Sequence, residues 1–427
     1  MNYDLDAIRD HFPSLSIKDG GVSRVYFDNP AGTQVPRSIV DSMSACLIEA
    51  NANIGGGFAT SNRADAVIAN AHQAMADFLN AASPEEIIFG QNMTTLTLHI
   101  SRSIGRTLKP GDEIILSRMD HDANISPWLL LAEDLDLNIK WLPFNTETFE
   151  FDLEELDNLL TEKTRLVCVC AASNLTGTIN DVKTICAKVK AAGAWSYIDA
   201  VQLAPHVPID VQDLDCDFLL CSAYKFFGPH QGMLWSRRDI LESLQPYKVR
   251  PATNDLPGCF ETGTQSHEGM AGTAAAVDYF AWIGENFAAE YLDRYQRFQG
   301  RRKYVHAALD YLFAYESDLA SYLIDGLHAL PGIAIQGITA KDAIDRRVPT
   351  VSFTAGGASS ADIAAMLAKQ NIFVWSGHNY AIEVVKALGI YESGGVVRVG
   401  PVHYNNTAEI DRLLVALDEI LPKARAA

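Results

Sequence analysis

The chain has 427 residues, of which 48% are hydrophobic and 20% charged, so it is neither disordered nor a coiled coil and can bury a large core across two or three domains. With 34 basic and 53 acidic residues it carries a net charge of −19, which repels a phosphate backbone, and no nucleic-acid partner is expected. No apolar run approaches the ~18 residues that cross a bilayer and Met1 to Asp6 lack a leader pattern, so a cytoplasmic protein without a membrane partner is expected.

Short apolar runs recur at 86–89, 113–116, 139–142, 166–171, 195–198, 218–221 and 233–235, with helical or loop stretches between most of them. Buried strands alternating with helices predict an α/β fold with a mainly parallel, doubly wound sheet of seven strands, whose ligands sit at the strands' carboxyl ends. Cys168 and Cys170 alternate on one of these runs and read as buried thiols; no cysteine spacing suggests a metal site. A long helical pattern runs from Ala274 towards Leu323, followed by a mixed segment with strands near 351–353, 372–375 and 396–399. The expected division is an N-terminal arm at 1–20, a large domain at 21–273, and a long helix with a smaller α/β C-terminal domain at 274–427. The Gly/Pro-rich loops at 51–57 and 251–263 read as site-bearing loops.

Several polar residues fall where such a sheet places ligands. Met93 and Thr94 open a helix containing Leu98, Ile100 and Ile104, where free amides and a hydroxyl suit an anion; a threonine N-cap is the alternative. Asp199 closes the run at 195–198, as a carboxylate that needs a cation partner or as a helix N-cap. Lys225 follows the run at 218–221, facing the ligand end of the sheet or simply solvated. Arg398 interrupts Val396, Val397 and Val399, and a guanidinium among apolar neighbours suits a substrate carboxylate or an internal acid.

Together these pieces resemble the fold-type I pyridoxal phosphate enzymes of the class V aminotransferase family, in the cysteine desulfurase and selenocysteine lyase branch. The resemblance spans nearly the whole chain, from Tyr26-Phe27-Asp28-Asn29-Pro30-Ala31-Gly32 through His121-Asp122-Ala123-Asn124, Ser173-Asn174-Leu175-Thr176-Gly177-Thr178 and Phe260-Glu261-Thr262-Gly263-Thr264 to Arg398 and Tyr404-Asn405-Asn406. It implies pyridoxal 5'-phosphate as cofactor, an amino-acid substrate and a homodimer. By position, Lys225 matches the Schiff-base lysine, Asp199 the partner of the pyridine nitrogen, Gln202 a residue near the phenolic oxygen, and His121 the imidazole stacked on the ring. Met93, Thr94 and Ser222 match phosphate contacts, and Tyr224 stands where the branch has a phosphate-binding histidine. Thr264 matches a threonine that reaches the neighbouring subunit's phosphate, while Asn174 and Arg398 match residues at the substrate's amino-acid end. Read without the family, His121 is an acid-flanked surface histidine, Asn174 a turn residue, and Ser222 and Thr264 loop hydroxyls.

The chain departs from the branch at 375–381, where a loop cysteine that accepts sulfur is expected and Tyr380 stands instead. Trp375 replaces a basic residue, Gly55 and Gly56 replace polar ones, and no cysteine follows Cys259. The expected activity is therefore C–S bond cleavage by β-elimination without an enzyme persulfide, with Tyr380 in the substrate pocket. Epimerisation or transamination on the same scaffold is the alternative, and a catalytically silent binding protein is the alternative of another class.

Overall fold

The seven apolar runs become seven strands of one sheet in this computed structural model, which describes residues 3–425. They are β1 (Ile87–Gly90), β2 (Glu113–Ser117), β3 (Asn138–Leu142), β4 (Thr164–Cys170), β5 (Trp195–Asp199), β6 (Phe218–Ser222) and β7 (Gly232–Ser236). Their spatial order is β1-β7-β6-β5-β4-β2-β3, and only β7 runs antiparallel to its neighbours. Side chains alternate between two buried faces: Phe89, Val167, Ile198 and Leu219 enter one core, while Ile88, Leu166, Tyr197 and Leu220 enter the other. Burial on both faces explains why these segments read as continuous apolar runs instead of an alternation.

Six longer helices matter for the site: α1 (Arg37–Glu49), α2 (Ala59–Leu79), α3 (Met93–Gly105), α4 (His267–Asn286), α5 (Gly300–His328) and α6 (Thr407–Ala424). The single helical stretch expected beyond Ala274 is two helices joined by a short 3-10 segment at Ala289–Tyr295. The break lets α5 fold back onto α4, where Gly284 meets the Tyr304 backbone so closely that a side chain would collide with it. In α3, Asn92 is the N-cap, accepting from the Thr95 amide at 2.9 Å, and Thr94 is left free of capping duty. Ile100 and Ile104 are buried as expected, whereas Leu98 is exposed.

Beyond α5 a second sheet forms from β8 (Ile333–Gln336), β9 (Val351–Ala355), β10 (Trp375–Gly377) and β11 (Val396–Val399), in the order β8-β9-β11-β10 with every pair antiparallel. Leu319 and Leu323 of α5 and Leu413 and Leu417 of α6 bury its inner face. The run expected as one strand at 372–375 divides: Ile372–Phe373 pairs in parallel with Val25–Tyr26, and only Trp375–Gly377 joins the sheet. That ladder ties the start of the chain to its last third and carries Asp28 to Ala31 towards the carboxyl ends of the large sheet. Among the described residues, no helix is long and apolar enough to cross a membrane.

Candidate active site

The carboxyl ends of five strands converge on one cavity of about 60 Å³. Past β1 come Met93 and Thr94, past β2 His121, and past β4 Asn174. Asp199 ends β5 and is followed by Gln202, while Ser222 ends β6 and is followed by Tyr224 and Lys225. The start of α3 comes this close because β7 begins with Gly232, where any Cβ would strike the Asn92 and Met93 backbone. The Met93 amide donates to Ser222 Oγ at 3.3 Å, so two residues read as anion contacts lie side by side at a helix N-terminus.

Burial sets the electrostatics. Lys225 is pushed from 10.5 down to about 7 by desolvation, with Arg398 adding to the fall and Asp199 opposing it. Its Nζ donates to the Pro30 carbonyl. Asp199 accepts from the Val201 amide at 2.9 Å, yet desolvation still lifts its carboxyl to about 6, against the pull of that bond and of Lys225. The capping-type bond and the buried carboxylate are thus both present, and the acid makes no ion pair among the described residues. His121 is not a surface histidine: desolvation, Lys225 and Arg398 lower it to about 3. Its Nδ1 accepts from the Ala123 amide at 3.0 Å, which leaves the proton of the neutral ring on Nε2.

His121, Asn174, Tyr224 and Lys225 also line a second, outer chamber of about 360 Å³, completed by Arg398 and the 375–380 segment. Arg398 Nη1 donates to the Asn174 carbonyl at 2.8 Å, and among the described residues the guanidinium makes no ion pair within 4.0 Å, although the buried Asp28 carboxyl acts on it electrostatically. Asn174 is held in turn by its Nδ2 donating to the Asn379 carbonyl at 2.8 Å. Tyr380 stacks on His121, with ring centroids 5.3 Å apart and planes 19° from parallel. Thr264 does not reach either chamber; it lines a separate hollow with Thr262, Ser266 and His230.

Three residues that position the site escaped sequence reasoning. Arg347 is fully buried without a carboxylate and donates to the carbonyls of Ile338, Thr176, Val348 and Thr350. It therefore clamps the Asn174 turn to the second sheet, and Thr350 Oγ1 accepts from Gln202 Nε2 at 3.0 Å. Asp120, raised to about 8 mainly by burial, accepts from Asn124 Nδ2 at 2.6 Å and the Cys170 amide at 3.0 Å, fixing the turn that carries His121. The tandem Arg346-Arg347 before a strand was the one sequence signal for such a clamp, since an apolar flank disfavours an unanchored charge.

Three buried polar atoms of the candidate residues lack a partner: Asn174 Oδ1, Gln202 Oε1 and Arg398 Nε. Buried polar groups are normally paired, so these atoms mark where a ligand belongs. A near-neutral amine, a buried acid without a cation, a flat neutral imidazole and an anion-binding helix start together suit pyridoxal phosphate: an aldehyde, a basic ring nitrogen, an aromatic face and a phosphate.

The model of the aminotransferase class-V family matches residues 25–413. A cysteine desulfurase of Pectobacterium atrosepticum is 32% identical over 98% of both chains, and an aminotransferase-like protein of Gibberella zeae is 33% identical over 98% of this chain and 99% of its own. The apo structure of a cysteine desulfurase from Thermococcus onnurineus superposes with a TM-score of 0.86 at 26% identity, over 99% of both chains. A cysteine desulfurase of Escherichia coli does so with 0.82 at 25%, over 99% of this chain and 100% of its own. Sequence, fold and donor set agree, and the chain belongs to the class V aminotransferase family, as a fold-type I enzyme whose cofactor is pyridoxal 5'-phosphate.

Proposed function

We propose that the protein cleaves the C–S bond of a cysteine-derived amino acid by β-elimination, without forming a persulfide on the enzyme. The observation that carries the reading is the state of the thiols. All seven cysteines are free and buried, and burial raises every one of them, Cys186 to about 12 and Cys170, at the cavity wall, well above its ordinary value. The thiolate is the form that attacks sulfur, and this chain holds none in reach of the chambers. Tyr380, which cannot store sulfur as a persulfide, occupies the loop instead.

When bound, pyridoxal phosphate would supply an electron sink for the substrate's Cα, the chemistry that loss of the Cα proton and of a β-substituent requires. The chain's own groups divide the rest of the work. Met93, Thr94, Ser222 and Tyr224 would hold the phosphate, and Thr264 would serve the partner's site. Asp199 would keep a proton on the ring nitrogen, Gln202 would meet the phenolic oxygen and His121 would cover one ring face. Arg398 and Asn174 anchor the substrate's carboxylate, and Lys225, with its amine poised near neutrality, takes the Cα proton. The C–S electron pair stays on sulfur and the thiolate leaves. The three-carbon product takes up one water and falls to pyruvate and ammonia, so no oxidant or reductant is needed.

The aminotransferase-like relative supports a second reading, transamination or epimerisation from the same proton abstraction. Product analysis separates them: pyruvate, ammonia and thiol for elimination, a keto acid for transamination, and an inverted Cα for epimerisation. A homodimer completes the proposal, supported by Leu47, Ile48, Ile54 and Phe58, which are exposed on and after α1 beside the Gly55 to Gly57 loop, and by Thr264 lying outside its own chain's cavity. Sedimentation should give a dimer, and an active monomer would contradict it. Seven cysteines without a disulfide suit the reducing cytoplasm.

A further inference from the structure

We infer that the outer chamber takes a cysteine thioether bearing a flat, neutral aromatic group on sulfur, with Trp375 and Tyr380 as the residues that read this group. For the bond that is cut, this rests on the elimination proposed above. Trp375 stands opposite Arg398 in the β10–β11 ladder, and opposed residues present their side chains on the same face, ~4.5–5.5 Å apart at Cβ. A substrate whose carboxylate sits on Arg398 therefore has Trp375 beside it. Trp375 is 52% exposed and Tyr380 64%, and both line the chamber that also holds Lys225. Isolated exposed aromatics are common on any surface, but two of them on the walls of one reactive chamber form a recognition face.

The wall is built in advance of any ligand. The Asp122 amide donates to the Tyr380 carbonyl at 2.8 Å, the Tyr380 amide to His378 Nδ1 at 3.0 Å, and Asn174 Nδ2 holds the Asn379 carbonyl. Asn379 and Tyr380 have φ of +49° and +58°, consecutive left-handed residues of the kind that persists at ligand clamps. Such preorganisation lowers the ordering cost of binding. The chamber's volume, about 360 Å³, falls at the lower end of the ~300–1,000 Å³ range of small-molecule pockets, room for a substituent larger than the thiol of cysteine. No acidic side chain lines it, so a cationic substituent finds no counter-charge there, and a neutral ring is the group that aromatic walls bind.

In the reaction the Cβ–S bond of S-benzyl-L-cysteine breaks with its electron pair on sulfur, and phenylmethanethiol leaves after taking a proton. Binding is tested apart from cleavage with carbon isosteres, whose CH2 cannot leave: calorimetry on the holoenzyme should show 2-amino-5-phenylpentanoate binding at least about tenfold tighter than norvaline. Trp375→Ala and Tyr380→Ala should each erase most of that difference while retaining the cofactor's absorbance and the melting temperature. In turnover, the kcat/KM ratio of S-benzyl-L-cysteine to S-methyl-L-cysteine should fall in the same variants. Equal binding of the two isosteres, or a preference that both variants keep, overturns the inference whether or not the thioether is cleaved. Selective binding without thiol release upholds the aromatic wall and refutes the elimination.

Discussion

The inner cavity and the outer chamber share four residues yet are built on different principles. The inner one stands on the carboxyl ends of a sheet buried on both faces, and its lysine, aspartate and histidine are desolvated. The outer one is closed by a loop of the second sheet, keeps two large aromatics exposed, and departs from the pattern at Trp375 and Tyr380, whereas the inner one departs only at Tyr224. The contrast teaches that the desolvated groups stand on the large sheet, whereas on the proposed reading the choice of substrate and of bond belongs to one loop of the second sheet.

The largest expected effect comes from breaking the inner site. Lys225→Ala should lower turnover by about 10³-fold or more, and borohydride should no longer fix the cofactor to the chain. The same lysine has a pH signature. Because burial lowers its amine to about 7 from 10.5, the nucleophilic neutral form accumulates above pH 7, so uptake of pyridoxal phosphate by the cofactor-free protein should accelerate through about pH 7 and then level off. A midpoint near 10 in stopped-flow absorbance would show that the amine is not desolvated.

At the seam between the two chambers, Arg398→Ala should weaken amino-acid binding by ~2–5 kcal/mol, because a desolvated carboxylate loses its partner, while the cofactor's absorbance is retained. Unchanged affinity would remove Arg398 from the substrate site. A smaller effect is expected beneath it. Arg347→Met leaves the carbonyls of Ile338, Thr176 and Thr350 without their donor and should destabilise the fold by at least about 2 kcal/mol in denaturant titration. KM should rise as the Asn174 turn loosens, and Arg347→Lys should restore part of both.

Much of the inner site was legible because strand ends carry local signals: an apolar run followed by Asp199, another followed by Lys225, and a helix start at Met93 and Thr94. The seven runs match the seven strands to within a few residues. What stayed hidden depends on distant partners. Ile333–Gln336 is a half-exposed edge strand with no strong run, and nothing local says that Ile372–Phe373 pairs with Val25–Tyr26 while Trp375 turns to Arg398. The clamp role of Arg347 needs carbonyls supplied by three separated segments, and the depressed pKa of His121 comes first from burial in the folded site and then from Lys225 and Arg398, which lie far away in sequence. The exposed wall of Trp375 and Tyr380 was visible only as a departure from a pattern, without the Arg398 register that gives it meaning.

The most direct test of the central claim is incubation of the holoenzyme with cysteine and with S-benzyl-L-cysteine, followed by product analysis and mass spectrometry of its peptides. Elimination predicts pyruvate, ammonia and the corresponding sulfide or thiol, with all seven cysteines unmodified and Cys259→Ser without effect on rate. Alanine formed in step with a persulfide on any cysteine, and lost when that cysteine is changed to serine, would contradict it and restore desulfuration through an enzyme thiol.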